Sequence, residues 1–322
     1  MKYARVIPYF GYGSSTRGRV MGHIIRKYKI KDPKNGWWRA PKNMQDMMKR
    51  FRLKGVGRYT VAISIYGKRY TTISEEDGFF ELEMQLDHLP EGWHDYEVYV
   101  PDLKLFGQGE LFITQSKMAV ISDIDDTFLI SHALKKWKKL PLLLFKNALN
   151  RKPFLGRSKW YNRLAKEGTQ PLFYISSSEW NLFDFLRKFV EHHQFPKGVF
   201  LLNRLKSRWG DLIQKQGEHH QLKKFYILQL LADFPEMKFM LIGDSGQQDM
   251  QIYQDIASHS PQRISAILIH QLPKTSQEKV RQFSARINAL DISFHLFQSS
   301  KEAESYLQNN LPSLIMNDAE LP

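Results

Sequence analysis

The sequence predicts an α/β fold: a Rossmann-like parallel sheet, preceded by a small β-rich, sandwich-like module. Two observations carry this. After residue 117, short apolar runs alternate with stretches of helical period, which is the rhythm of a parallel sheet covered by helices on both faces. Before it, period-2 runs are punctuated by turn residues, the pattern of short paired strands. The expected division is 1–116 for the β-rich module with a basic linker and 117–322 for the α/β domain.

In the first part, Tyr59, Val61, Ile63 and Ile65 alternate with Thr60, Ala62 and Ser64, so a strand is expected there. Glu76-Asp77-Gly78 is a turn signal, and 79–84, 96–100 and 110–113 are the next strand candidates. Gly11-Tyr12-Gly13 neither follows a clear strand nor opens a helix, so a turn is expected there rather than a nucleotide loop. Residues 31–54 look like a basic linker with one short helix at 44–51. In the second part, strands are expected at 118–122, 172–176, 199–203, 238–243, 264–269 and 292–297. The first four are near-continuous apolar runs, as strands buried on both faces must be. Helices are expected at 180–193, 219–234, 247–258, 277–290 and 301–310.

Composition narrows the chemistry. The 322 residues are 42% hydrophobic, with 21 Phe and 7 Trp, enough for a substantial core. There is no Cys, which excludes disulfide frameworks, thiolate metal sites and cysteine nucleophiles. No stretch approaches the roughly 20 apolar residues of a spanning helix, and the first residues show no signal-peptide run. A soluble or peripheral protein of the cytoplasm is expected. The net charge of +14 points to an acidic partner: nucleic acid, an anionic membrane surface or a phosphorylated substrate.

Four segments carry the chemistry. The apolar run Met118-Ala119-Val120-Ile121 leads into Ser122-Asp123-Ile124-Asp125-Asp126-Thr127. Strand interiors disfavour Asp, so these carboxylates mark the strand's end, where open α/β sheets present their sites. Clustered carboxylates repel unless a cation or a proton intervenes, and a hard, oxygen-ligated ion such as Mg²⁺ suits them. A second apolar run, Phe239–Ile242, ends in Gly243-Asp244-Ser245-Gly246 with Asp249 beyond. Asp244 and Asp249 are therefore candidate metal ligands beside Asp123. A third run ends in Ser176-Ser177-Ser178 before a helix, a place where hydroxyls and backbone N–H groups bind phosphate oxygens. The fourth feature is Lys223 or Lys224 on the next helix, either of which could neutralise a phosphoryl group.

Asp123-Ile-Asp125-Asp-Thr127, Ser176, a helical Lys and Gly243-Asp244 with Asp249, in that order, resemble the four motifs of the haloacid dehalogenase superfamily. The finer text at Ile121–Thr127, Tyr174–Ser178 before Trp180-Asn181, Phe195–Gly198 and Leu241–Gln247 resembles the catalytic domain of the actin-patch-protein type phosphatidate phosphatases. That resemblance covers most of 117–272. It implies a Mg²⁺-dependent phosphatase in which Asp123 is the nucleophile and Asp125 the general acid and base. It also implies that Thr127, Ser176 and Lys223 bind the phosphoryl group. The metal would be held by Asp123, Asp125 through its backbone carbonyl, and Asp244, with Asp249 in support. The resemblance favours Lys223 over Lys224, because it matches the family's spacing to Ile227 and Phe234-Pro235. The sequence departs from the family at Glu179, where Pro is common, and at His270, where Arg is often found.

From 128 to 166 there are 11 Lys or Arg and no Asp or Glu, interleaved with Trp137, Leu142, Phe145, Phe154, Trp160 and Tyr161. The resemblance makes this stretch the flap that meets substrate. Basic residues among Trp, Leu and Phe suit an anionic phospholipid or membrane surface, at about 1 kcal/mol for each basic residue near it. A phosphatidate substrate is thus expected and a nucleic-acid partner disfavoured. The alternatives are the same chemistry on a protein, sugar or nucleic-acid end phosphate, and a non-catalytic binding module on the same fold. Nothing in the sequence indicates an oligomeric state.

Overall fold

The computed structural model describes residues 4–26, 55–124, 156–166, 170–203, 217–246, 248–273 and 275–312. The expected basic linker at 31–54 and the segment 125–155 lie outside these residues. The described chain builds two sheets. The first holds β1 (Ala4–Pro8), β2 (Gly11–Gly13), β3 (Arg17–Arg26), β4 (Thr60–Ile65), β5 (Lys68–Ile73), β6 (Phe79–Gln85), β7 (Gly92–Val100) and β8 (Leu105–Ile113).

These eight strands were expected to pack as a sandwich, but they hydrogen-bond into one continuous mixed sheet. The ten-residue β3 makes this possible. One of its edges pairs with β1 and β2, the other with β6. The sheet curls until its far edge returns: the Thr72 hydroxyl of β5 donates to the Glu81 carbonyl of β6 at 3.3 Å, and the Tyr70 hydroxyl donates to the Gln85 carbonyl. Val20, Ile24, Ile63, Phe80, Val98, Leu111 and Ile113 fill the inside. Gly11-Tyr12-Gly13, expected as a turn, is a strand. It pairs parallel with β8 and antiparallel with β3. A Cβ on Gly13 would fall 2.0 Å from the Arg17 carbonyl oxygen, so the backbones approach too closely for any other residue.

The second sheet is parallel throughout, in the order β11 (Val199–Asn203), β10 (Leu172–Glu179), β9 (Met118–Asp123), β12 (Lys238–Asp244), β13 (Ile264–His270), β14 (Ser293–Phe297). Its helices among the described residues are α1 (Arg157–Leu164), α2 (Phe183–His192), α3 (Gly217–Asp233), α4 (Asp249–His259), α5 (Gln277–Asn288) and α6 (Ser300–Asn310). Helix α5 starts where the Ser276 side chain accepts from the Lys279 N–H, and α6 where Ser299 accepts from the Glu302 N–H. The chain runs from β9 outward to β10 and β11, then crosses back to place β12 on the other side of β9. The strand order therefore reverses between β9 and β12, and a crevice opens at their carboxyl ends.

Helix α1 was not expected. It lies in the segment read as a basic, aromatic flap, yet its Trp160 and Tyr161 are wholly buried. Trp160 meets Phe297 and Tyr161 meets Phe195 edge-on, so these two aromatics belong to the core and are not available to a membrane. With Arg157 and Leu164 they make the buried face of the helix, a period that the basic residues around it mask.

The curled sheet is apolar on its outside as well. Tyr9, Phe10, Tyr12, Met21, Phe79 and Phe112 belong to the same core as the parallel sheet. Phe10 packs on Phe183 and Phe200, and Tyr12 on Phe173 and Phe234. Two polar clamps flank this seam. Arg19 reaches Asp233 through Nε and a terminal nitrogen, both at 2.8 Å, and the Tyr12 hydroxyl donates to the same carboxylate at 2.8 Å. Lys197 lies 3.9 Å above the Trp93 ring and pairs with Glu110. Arg19 also neutralises Glu81. Arg19→Ala is expected to lower the stability of the full chain by about 2 kcal/mol, the scale of lost hydrogen bonds to charged groups, read as a lower denaturant midpoint.

Candidate active site

The crevice between β9 and β12 holds the acidic residues. Asp123 ends β9 and Asp244 ends β12, and both are buried. In the pairing of these strands Ile242 lies opposite Ser122, which brings the two Asp residues to the same end of the sheet. Asp249 opens α4, where the helix N-terminus favours a carboxylate. Oxygen atoms of Asp123, Asp244 and Asp249 all lie within 4.8 Å of one another.

Lys223, on α3, enters this cluster. Its Nζ is 2.7 Å from Asp123 Oδ1 and 2.7 Å from Asp249 Oδ1, and the lysine is 4% exposed. Lys224 points elsewhere, to Asp255 at 3.2 Å. Asp249 then braces its neighbour, since its Oδ2 accepts the Asp244 N–H at 3.1 Å. The Gly246 N–H donates to Asp244 Oδ1 at 2.6 Å, closing a tight turn around that carboxylate. Ser176 is buried in β10 one residue beyond Ile175, the last to pair with β9, and its Oγ accepts the Ser178 N–H at 3.0 Å. Between Ile175 and Glu179 the β10–β11 register shifts, so the serine run bulges out of the ladder at the crevice. Asp125 and Thr127 lie outside the described residues.

Three carboxylates and one ammonium leave the cluster formally at −2. Buried charge of that size calls for a compensating cation. The donor set is all carboxylate oxygen, which fits a hard ion and not a soft one. Tyr253 registers the same concentration of charge. Its hydroxyl is pushed well above the usual phenol range, first by burial and then by Asp249, Asp123 and Asp244.

Several supporting residues carried no sequence signal of their own. The Tyr253 hydroxyl donates to the Ile242 carbonyl at 2.9 Å, packing α4 against the end of β12. It lies four residues after Asp249, so the helical period could have found it. The Ser122 and Tyr161 hydroxyls share a hydrogen bond of 2.7 Å next to Asp123. The Ser245 hydroxyl accepts the Leu272 N–H at 2.9 Å and bonds Thr275, tying the acidic turn to the loop after β13. His270 ends β13, opposite Asp244 in register, and its ring lies 5.4 Å from that of Phe297.

Fold and site together define a parallel α/β domain with a buried carboxylate cluster, competent to hold a metal ion, at its strand-order reversal. Residues 118–271, just under half of the chain, match the family model described as phosphatidate phosphatase APP1, catalytic domain. Phosphatidate phosphatase APP1 of Saccharomyces cerevisiae is 27% identical over 158 residues, which are 49% of this chain and 26% of that protein. An uncharacterised protein of Schizosaccharomyces pombe is 27% identical over the same shares of each chain. The chain thus spans about a quarter of the length of the curated relatives it matches. Among solved structures, a carbohydrate acetylesterase from Xanthomonas citri aligns over 87% of this chain and 71% of its own at 9% identity, with a TM-score of 0.26, too low to bear on function.

Gly243 is a position where the acidic residues themselves leave no space for a side chain. A Cβ there would lie 2.6 Å from Asp249 Oδ2 and 2.9 Å from the Tyr253 ring. Gly243→Ala is expected to push Asp249 out of line and weaken Mg²⁺ or Mn²⁺ binding by about tenfold or more, equivalent to about 1.4 kcal/mol. Titration calorimetry of the purified chain reads this directly.

Proposed function

We propose that this chain is a Mg²⁺-dependent phosphomonoester hydrolase of the haloacid dehalogenase type, acting through an aspartyl-phosphate on Asp123, with phosphatidate as its substrate. The observation that carries the reading is the buried cluster of Asp123, Asp244, Asp249 and Lys223 at the carboxyl ends of β9 and β12. The family match over 118–271 supports it. In this reading 117–322 is the catalytic part and 1–116 a β-rich module attached to it.

The residues divide the work as follows. Lys223 orients the Asp123 carboxylate through Oδ1, and its charge favours the ionised, nucleophilic form. An Asp123 oxygen attacks phosphorus, and the bond from phosphorus to the ester oxygen breaks. The departing alkoxide takes a proton from Asp125, the role given to that residue by the resemblance. Water, deprotonated by the same carboxylate, then attacks phosphorus and releases inorganic phosphate and free Asp123. The Ser176 hydroxyl and Lys223 hold phosphoryl oxygens during both steps, with Thr127 assigned the same task by resemblance. Mg²⁺ held by Asp123, Asp244 and the Asp125 carbonyl, with Asp249 in support, would neutralise charge on the phosphoryl oxygens. Asp249 and Lys223 keep each other in place at 2.7 Å.

The lipid assignment draws on the name of the yeast relative and on the basic, aromatic stretch at 128–155. With phosphatidate the products are diacylglycerol and phosphate, and a cytoplasmic, peripherally bound enzyme fits that substrate. None of the helices among the described residues is long and apolar enough to cross a membrane.

The purified chain is expected to release phosphate from phosphatidate in mixed micelles with Mg²⁺, and to stop when EDTA is added. Asp123→Asn should lower kcat by at least about 10³-fold, the scale seen when a nucleophile is removed. Activity confined to soluble sugar, protein or nucleotide phosphates would overturn the lipid assignment and leave the chemistry. An Asp123→Asn variant with undiminished activity would overturn the chemistry itself.

A further inference from the structure

We infer that the curled β-sheet module is a working part of the active site, because Tyr9 holds in place the strand end that presents Ser176. The inference rests on the phosphohydrolase reading for what Ser176 binds, and on geometry alone for how Tyr9 acts.

The bulge in β10 frees Ser176, Ser177 and Ser178 from the β11 ladder. A bulge of this kind loses ladder hydrogen bonds and needs an anchor at each end to keep one shape. At its start, Ile175 is still paired to Asp123 of β9 and Leu201 of β11. At its end, Glu179 pairs again with Asn203 of β11, and the chain then turns into a single 3-10 turn, Trp180–Leu182, with no side-chain cap. Trp180 is the side-chain anchor there, and the ring stacked on it comes from the curled-sheet module. The Tyr9 ring stacks on the Trp180 indole with centroids 3.9 Å apart and planes 9° from parallel. The Trp180 indole N–H has no hydrogen-bond partner among the described residues, so ring contact is what holds it.

Tyr9 is itself fixed. Its backbone N–H donates to the Met21 carbonyl at 2.8 Å, its carbonyl accepts the Tyr96 hydroxyl at 2.7 Å, and its own hydroxyl bonds His23 Nδ1 at 3.0 Å. Each of these partners lies in the curled sheet. Tyr9 also meets Phe183, the first residue of α2, at 4.8 Å. A rigid residue of the module thus clamps the segment four residues beyond Ser176. Without it the bulge would keep its start and be held at its end by the Glu179–Asn203 pairing alone. Tyr9 is a positioning residue, since it touches neither substrate nor the acidic cluster.

The test uses the full chain with Tyr9→Ala and Tyr9→Phe. Tyr9→Phe keeps the ring and loses only the bond to His23. In Tyr9→Ala, amide hydrogen exchange at 176–180 should quicken while that at 238–246, the strand and turn of Asp244, stays as in the parent. KM for a soluble phosphomonoester and the inhibition constant of inorganic phosphate should both rise at least about fivefold, with a smaller loss of kcat, as misplacement of a binding group demands. Tyr9→Phe should restore both readouts. If Tyr9→Ala does not fold, Tyr9→Leu keeps much of the buried volume without the planar stack and carries the same expectations. Unchanged exchange at 176–180, equal quickening across the chain, or a fall in kcat with KM and phosphate inhibition untouched would each overturn the inference. A parent protein that hydrolyses no phosphomonoester would overturn the enzymatic reading instead, and the exchange pattern would still decide whether Tyr9 governs the bulge.

Discussion

Like charge in a small dry space is the constraint around which the α/β domain is organised. Asp123, Asp244 and Asp249 share a volume less than 5 Å across with almost no water contact. Carboxylates so placed destabilise one another and shift toward protonation unless positive charge is supplied. Lys223 supplies one unit, contacting two of the three at once. The remaining deficit is what makes the cluster competent to hold a cation. The local details follow from holding these groups still: a glycine at 243 because Asp249 and Tyr253 crowd it, a helix N-terminus behind Asp249, and a backbone N–H on each side of the Asp244 turn bonded to carboxylate oxygen. An arrangement so dependent on geometry cannot rest on flexible loops, and the two parallel strands provide the rigidity.

The curled sheet meets a second constraint, the removal of apolar surface from water. Its strands carry large apolar residues on both faces: Val20 inward and Met21 outward, Phe80 inward and Phe79 outward, Leu111 and Ile113 inward with Phe112 between them outward. An outer face of that kind could not remain in water. It is buried against β10, β11, α2 and the end of α3, so the aromatic seam and the two polar clamps make one continuous core out of two sheets. The side of the parallel sheet that carries the serine bulge is the side the module covers. Stability and the shape of the site are therefore coupled through the same residues.

Much of the site could be read from the chain alone. An apolar run that ends abruptly in Asp identifies a strand terminus, and two such runs with a serine-rich third identify the end of the sheet where ligands gather. Asp123, Asp244 and Ser176 were nameable on that basis, because a charged or hydroxyl residue after four or five buried ones has few other uses; Asp249 followed from its place just beyond Asp244, and Lys223 from the resemblance. The helices and strands of the second half were legible for a similar reason, since strands covered on both faces leave an unbroken apolar signal. The first strands were not legible: Gly, Arg and Tyr in β2 and β3 mask the alternation, and pairing partners far away in sequence make those residues strand-forming. Trp160 and Tyr161 were misassigned because local charge is visible in a sequence and distant packing is not.

The amino-acid order by itself thus determined the parallel sheet, the identity of its acidic and hydroxyl residues, and the end of the sheet they occupy, since each depends only on near neighbours. Tertiary structure alone decided that Lys223 bridges Asp123 and Asp249 while Lys224 turns to Asp255, that the two edges of the first sheet meet, and that Tyr9 reaches Trp180. Those outcomes depend on contacts between residues tens to hundreds of positions apart, and such contacts exist only once the chain has buried its apolar faces against each other.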